Sequence, residues 1–403
     1  MKQNRAQDST YIEIAAYADW LTDLRIWFHQ HPELSEHEFG TRDKITATLD
    51  ALAIPWKPCA DTGVCGWIEG TGNDELKPLT IGLRADIDAL PISEPEGRSY
   101  RSQNEGVMHA CGHDGHTTIL LGVAKYFSER RSAFNGTIKL FFQPAEETVG
   151  GAQRMVDEGC MKAPDVDYVL GLHVMPYLEV GQIETRHGKL NAASDGITID
   201  IEGMAAHGAY PEKGIDAMVI AAQVILGIQT LVSRTVSPLE SAVITLGKIS
   251  GGLKDNIICN TVHITGGMRT ADEGIRSALK EKLTTLVEGI CKANGGTGHV
   301  AFEPGYNALI NTDTVVDVLQ KEAAMWLGAE NVFEKAQPSM GVEDFSFFLD
   351  HAKGAFYHLG CGNASRGITS ALHTAGFDLD MDCLPMGVFL QVKFIEAIFR
   401  DRP

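Results

Sequence analysis

Apolar and polar positions alternate along this chain in two different textures. Over the first half, short continuous apolar runs are separated by longer segments of helical spacing. LTIGLRAD, from Leu79, predicts a strand that breaks at acidic residues, and HTTILLGVAKYFSERR, from His116, predicts a helix. TIKLFFQPAEE predicts a buried strand running to Pro144 and a polar turn. GGAQRMVDEG resumes as helix, and VDYVLGLHVMP reads as a strand ending on a histidine. Apolar strands alternating with helices across short connections predict a mostly parallel sheet covered on both faces.

Near Leu190 the texture changes. Ile197–Glu202 alternates apolar and polar, the period of a sheet with one open face. A helix (DAMVIAAQVILGIQTLVSR), two strands (SAVITLGKI, NTVHITGGMRT), a second amphipathic helix stopped at Gly295–Gly296 and a last strand (HVAFEPGY) follow. The order β-α-β-β-α-β is that of a ferredoxin-like unit. The expected architecture is therefore an α/β protein with one domain over residues 1–190 and 305–403 and a ferredoxin-like α+β domain inserted at 191–304.

The length of 403 residues agrees with two domains rather than one core. A formal net charge of −19 argues against nucleic acid or an anionic membrane as partner. No run approaches the ~20 apolar residues of a membrane span, and the N-terminal MKQNRAQDSTYIEIAAYADW lacks the apolar core of a secretory signal. The expected compartment is the cytoplasm. Eight cysteines without a CxxC pair fit reduced, mostly core thiols.

Candidate chemistry gathers in five places. The densest is His109-Ala-Cys111-Gly-His113-Asp114-Gly-His116, which joins thiolate, imidazole and carboxylate as a borderline-soft divalent metal requires. Glu146 and Glu147 follow a buried strand, where α/β enzymes place their sites; the alternative is an acidic pair favoured by the next helix dipole. One of two such neighbours can ligate metal while the other moves a proton. His173 closes an apolar strand, His373 lies in a loop, and Asp86 and Asp88 extend a strand end. Each has an ordinary reading alone: a satisfied buried histidine, a loop residue, an ion pair with Arg84. Their fall at ends of strands in one sheet favours metal, because carboxylates and histidines buried together are costly without a cation.

At these residues the chain resembles the metal-dependent amidohydrolases that include aminoacylases, hippurate hydrolases and auxin-conjugate hydrolases. The matching segments are HQHPELSEHEFGT, GLRADIDALPISE, HACGHDGHTT, FQPAEETVGGAQRMVDEG, GLHVMP, AAHGAYPEKGIDA, GVEDFSFF and LHTAGFDLD, in order over nearly the whole chain. The resemblance implies a catalytic domain holding two divalent ions (zinc or manganese, with cobalt or nickel also fitting) and an inserted lid and dimerisation domain that makes a homodimer or homotetramer. It implies metal ligands at Cys111, His113, Glu147, His173 and His373, a general base at Glu146 and a ligand-orienting carboxylate at Asp88, with Asp86 behind them. It implies an oxyanion-stabilising histidine at His207, acting in cis or from a partner subunit, and substrate contacts from Asn256 and Arg269. GVEDFSFF, Gly341 to Phe348, is expected to line the pocket. Two departures touch the substrate residues: Cys259 stands where a proline is expected near Asn256, and Gly267 where a threonine is expected before Arg269. The implied reaction is hydrolysis of a small N-acyl (acetyl, benzoyl or arylacetyl) amino acid. A metallodipeptidase or N-carbamoyl amino acid hydrolase on the same scaffold is the alternative, and a Cys111 nucleophile or a non-catalytic binding protein stands further off.

Overall fold

The computed structural model describes residues 5–73 and 76–403; the first four residues of the N-terminal stretch read above lie outside them. The chain divides into two compact units, Met1–Gly188 with Ile310–Ala336 and Asp344–Pro403, and Lys189–Leu309 with Gln337–Glu343.

The first unit is built on an eight-stranded sheet. Its order is Trp56–Cys59, Gly63–Glu69, Gly136–Gln143, Leu79–Asp86, Tyr168–Glu179, Lys353–Gly362, Ile183–Thr185 and Val332–Glu334. The four middle strands run parallel, and the hairpin Trp56–Cys59/Gly63–Glu69 adds antiparallel strands at one edge. Every residue of Leu79–Asp86 is buried, so the continuous apolar run reflects a central strand covered on both faces. Helices His113–Ser128 and Cys383–Asp401 are buried along most of their length and belong to the same core.

Two boundaries differ from the sequence reading, and both concern the chemistry. Tyr168–Glu179 does not end at His173 but runs six residues beyond it. Lys353–Gly362 lies alongside, with His358 opposite His173, and satisfies the backbone past the histidine. The helix placed from His116 begins at His113. Gly112 precedes it with φ 88°, and a Cβ there would stand 2.3 Å from Val174 Cγ2, so only glycine fits this turn.

The second unit is a four-stranded antiparallel sheet in the order Thr297–Pro304, Ala193–Glu202, Thr261–Thr270, Ala242–Gly251. With helices Ala217–Thr235 and Glu273–Ala293 it follows the β-α-β-β-α-β order. Asp216 and Asp272 cap the two helices through the amides of Met218 and Ile275. Buried and partly exposed residues alternate along Ala193–Glu202, as a sheet with one covered face requires. The unit also takes in 337–343, where Ser339 bridges to Asn191. One helix among the described residues, Ala217–Thr235, is long and apolar enough to cross a membrane, contrary to the reading that no run approaches that length. Much of its apolar character belongs to a core face: Ile220, Val224, Ile228 and Leu231 are buried in the cluster that includes Ile199 and Ile264 of the sheet.

Candidate metal centre

The parallel strands of the first unit deliver chemistry to one region. Asp86 ends Leu79–Asp86, and Asp88 follows two residues on. Cys111 precedes the helix that starts with His113. Glu146 and Glu147 lie in the loop after Gly136–Gln143. His173 sits within its strand, and His373 lies in a loop with φ 60°, its amide donating to the Ala110 carbonyl at 2.8 Å. A left-handed conformation is uncommon for histidine and here accompanies a residue with a chemical neighbourhood.

Cys111 Sγ is 3.3 Å from His173 Nε2 and 3.1 Å from His373 Nε2. His373 Nε2 is 3.2 Å from Glu147 Oε1, which is 3.9 Å from His113 Nε2. Ligand atoms of three overlapping groups lie within 4.8 Å of one another: Cys111, His113 and His173; Cys111, Glu147 and His373; His113, Glu146 and Glu147. The thiol is common to the first two groups, so two neighbouring ions could share it.

The donor set fits divalent metal. His113 Nε2 is buried without a hydrogen-bond partner, and Glu147 Oε1, also buried, has only His373 Nε2 close by at 3.2 Å, a cost that a cation between them removes. One sulfur, three imidazoles and carboxylate oxygen suit zinc or a similar borderline ion. The imidazoles are turned for the task by their other nitrogens. His113 Nδ1 meets the Asp88 carbonyl at 2.9 Å and its carboxylate at 3.3 Å. His173 Nδ1 donates to the Val174 carbonyl at 2.7 Å. With a metal in place of the ring proton, each would offer its Nε2 lone pair to the cluster.

The electrostatics agree with a site that wants positive charge. Burial alone would lower the His113 pKa, but Asp86, Cys111 and Asp88 together hold it well above the ordinary imidazole value. Burial pushes the Cys111 thiol up, so a thiolate there needs a cation beside it. Asp86 is held well below the usual carboxylate range: burial opposes this, but Arg84, His113 and His116 outweigh it. His173 is driven down by burial and by His116, which keeps it neutral and ligand-competent.

The remaining residues of the histidine cluster support rather than join. His116, assigned no role in the sequence reading, donates to Asp86 at 2.6 Å and accepts the Val174 amide at 2.9 Å, tying the helix to the His173 strand. Its position i+3 from His113 was a signal that the misplaced helix start hid. Asp114 ion-pairs with Arg25 at 3.0 Å and hydrogen-bonds His29 Nδ1 at 2.7 Å, which anchors the first turn of the helix. His109 is buried with neither ring nitrogen partnered, and burial lowers its pKa to about 4. Asp86 and Asp88 do not act as a matched pair: Asp86 serves Arg84 and His116, whereas Asp88 accepts from Ser35 Oγ at 2.7 Å and the Glu147 amide at 3.0 Å.

Asp344 is another residue whose role the sequence did not reveal. GVEDFSFF was expected to line the pocket; its Asp344 offers a carboxylate oxygen within 4.8 Å of one on Glu146, and Asp344, Phe345 and Phe348 are buried. Asp344 pairs with Arg84 at 2.9 Å and accepts from Gln143 Nε2 and the Ala152 amide, while Phe348 stacks on Phe141. The residues assigned to substrate lie in the second unit. His207 and Asn256 are exposed neighbours, linked by a Gly208 amide to Asn256 carbonyl bond of 2.8 Å. The Ala209 amide donates to His207 Nδ1 at 3.1 Å. Arg269, also exposed, donates to the Met340 carbonyl at 2.9 Å.

A two-unit α/β fold with a cysteine, carboxylate and imidazole cluster of this kind is that of a metal-dependent enzyme. Comparison with known proteins agrees. The model of peptidase family M20/M25/M40 matches residues 82–397, and the chain belongs to that family. It is 39% identical over 355 residues to N-acetyl-L-cysteine deacetylase of Bacillus subtilis, covering 88% of this chain and 83% of the relative. It is 35% identical over 382 residues to IAA-amino acid hydrolase ILR1-like 4 of Arabidopsis thaliana, covering 94% and 85%. Among solved structures, the YXEP protein of Bacillus subtilis, a dinuclear metal binding peptidase from the M20 family, superposes with a TM-score of 0.82 at 30% identity, over 96% of this chain and 99% of that one. The protein is an enzyme of amide-bond hydrolysis.

Proposed function

We propose that the enzyme hydrolyses N-acyl amino acids, releasing a carboxylic acid and a free amino acid. The observation that carries this is the adjacent pair Glu146 and Glu147, whose carboxylates share a cluster with His113. In this reading Cys111, His113, Glu147, His173 and His373 hold two divalent ions, zinc or manganese with cobalt or nickel also fitting. When bound, the ions supply Lewis acidity toward the amide carbonyl and acidify water. Glu146 takes a proton from the attacking water and hands it to the leaving amine, since both transfers occur beside one bond. Asp88 fixes the orientation of His113, and Asp86, through His116, holds the strand of His173. His207 donates toward the developing oxyanion, and Asn256 and Arg269 bind the substrate, the guanidinium of Arg269 matching a carboxylate by its planar fork.

The acyl-amino-acid class is supported by the relatives above, which are named for N-acetyl-L-cysteine and for IAA-amino acids. The test is a panel of acetyl, benzoyl and indoleacetyl amino acids set against dipeptides and N-carbamoyl amino acids, with metals returned after chelation. Turnover of the acyl amino acids should exceed that of the other two sets; preference for dipeptides or N-carbamoyl substrates overturns the assignment. We also place the enzyme in the cytoplasm, a reading supported by eight buried cysteines that form no disulfide. A homodimer or homotetramer through the second unit is supported by Met218, Val219, Leu226 and Ile249, which are apolar yet exposed on its helix Ala217–Thr235 and edge strand Ala242–Gly251.

A further inference from the structure

The loop that carries Glu146 and Glu147 is held partly by residues remote in sequence. Ala145 adopts φ 55°, a left-handed conformation unfavourable for a residue with a side chain. This turn follows Pro144 and sets the direction in which the chain enters the two glutamates. Its carbonyl is satisfied by the Gly150 amide at 2.9 Å. Its amide finds a partner far away in sequence: it donates to Glu38 Oε1 at 2.9 Å.

Glu38 is fully buried. Its other oxygen accepts from Thr62 Oγ1 at 2.6 Å. It stands at the start of helix Phe39–Ala51 but caps nothing there. That duty falls to Glu33, which accepts from the amides of Gly40 and Thr41 and from the Thr41 hydroxyl. Glu38 is thus spared for the loop. Burying a carboxylate is costly unless it is well bonded, so its presence at this place calls for a use. The same 33–41 segment sends Ser35 to Asp88, and Asp88 accepts the Glu147 amide. Two amides, those of Ala145 and Glu147, flank Glu146 and both end on this bracket.

We propose that Glu38 is a positioning residue for the reaction: through the Ala145 amide it holds the left-handed turn that aims the Glu146 carboxylate. This rests on the reading of Glu146 as general base. Glu38 touches no substrate and moves no proton.

The test compares Glu38→Ala, Glu38→Gln and Glu146→Gln in the metal-loaded full-length enzyme, with kcat, KM, metal content and hydrogen exchange of residues 144–151 as readouts. Misplacing a catalytic group by about 1 Å costs about 100-fold, so Glu38→Ala should lower kcat by about that factor, leave KM and metal content near wild type, and speed exchange in 144–151. Glu38→Gln keeps an acceptor for Ala145 and offers its amide to the Thr62 hydroxyl, so kcat and exchange should return close to wild type. Wild-type kcat in Glu38→Ala overturns the proposal, and so does loss of metal together with activity. Should Glu38→Ala fail to fold, Thr62→Val withdraws one of the two contacts and should lower kcat by about tenfold, the worth of one hydrogen bond; unchanged kcat there also overturns it. Glu146→Gln separates the two claims. If it keeps turnover the base assignment fails, whereas an inactive Glu146→Gln beside a fully active Glu38→Ala refutes only the positioning role.

Discussion

Replacing Arg84 by methionine tests how the site is supported from behind. The guanidinium is buried and bonds to Asp86 at 2.7 Å, to Asp344 at 2.9 Å and to Gln143 Oε1 at 2.8 Å. Removing one partner of a buried ion pair typically costs 3–5 kcal/mol, because the other charge is stranded. Two features soften the loss here. Asp86 keeps His116 at 2.6 Å, and Asp344 keeps Gln143 Nε2 and the Ala152 amide. Burial already raises the pKa of Asp344 although Arg84 opposes it, so without Arg84 that carboxyl takes up a proton rather than remaining a bare charge. The expected destabilisation is therefore at the low end, about 3 kcal/mol. Urea unfolding followed by tryptophan fluorescence reads the right part of the molecule, since all five tryptophans (20, 27, 56, 67 and 326) lie in the first unit. Asp344→Asn alone should be destabilising, and the double variant Arg84→Met/Asp344→Asn should lose at least about 1 kcal/mol less than the two single losses together. A loss below about 1 kcal/mol, or strict additivity, would refute the account of this clamp.

Three other substitutions probe different parts of the account. Cys111→Ser removes the sulfur shared by two ligand groups, so both ions should leave together on dialysis; retention of a full complement by elemental analysis would remove Cys111 from the ligand set. Glu146→Gln should lower kcat by about 10²–10⁴-fold with metal content unchanged, and a parallel loss of metal would make it a ligand instead. Glu184→Gln tests a pH dependence away from the site. Although burial raises the Glu184 pKa, His358, Lys335 and Tyr177 bring it down from 4.5 to about 2. A carboxyl depressed in the folded state stabilises above its unfolded pKa, here by up to about 3 kcal/mol, and that contribution fades as pH falls from about 4.5 to about 2. The wild type should therefore exceed Glu184→Gln in stability at pH 7 and converge with it near pH 2; a gap independent of pH would contradict the assignment.

Much of the scaffold was legible because its signals are local. The unbroken apolar run of Leu79–Asp86 marks a strand covered on both faces, and the alternation in Ala193–Glu202 marks one with a single covered face. The cluster around Cys111 and the pair Glu146–Glu147 were visible as residue types at close spacing. What escaped depends on partners remote in sequence. Nothing near Tyr168–Glu179 announces that it continues past His173, because Lys353–Gly362 provides the bonds. Arg84 and Asp344 stand 260 residues apart, so the clamp has no sequence signature. Ser35 and Glu38 lie in a matching motif, yet their use emerges only when the loops of Asp88 and Ala145 arrive beside them. The left-handed backbone at Ala145 is likewise invisible, since alanine does not favour it.

In the proposed mechanism a pair of divalent ions in the Cys111, His113, Glu147, His173 and His373 cluster sustains amide hydrolysis. Metal content and turnover of an N-acetyl amino acid, measured together before chelation, after it and after metal return, test this most directly. Two ions per chain, loss of activity with the metal, and recovery with a second equivalent of zinc or manganese are expected. Full activity in the chelated protein, or inactivation of the metal-loaded enzyme by thiol alkylation without metal loss, would contradict it.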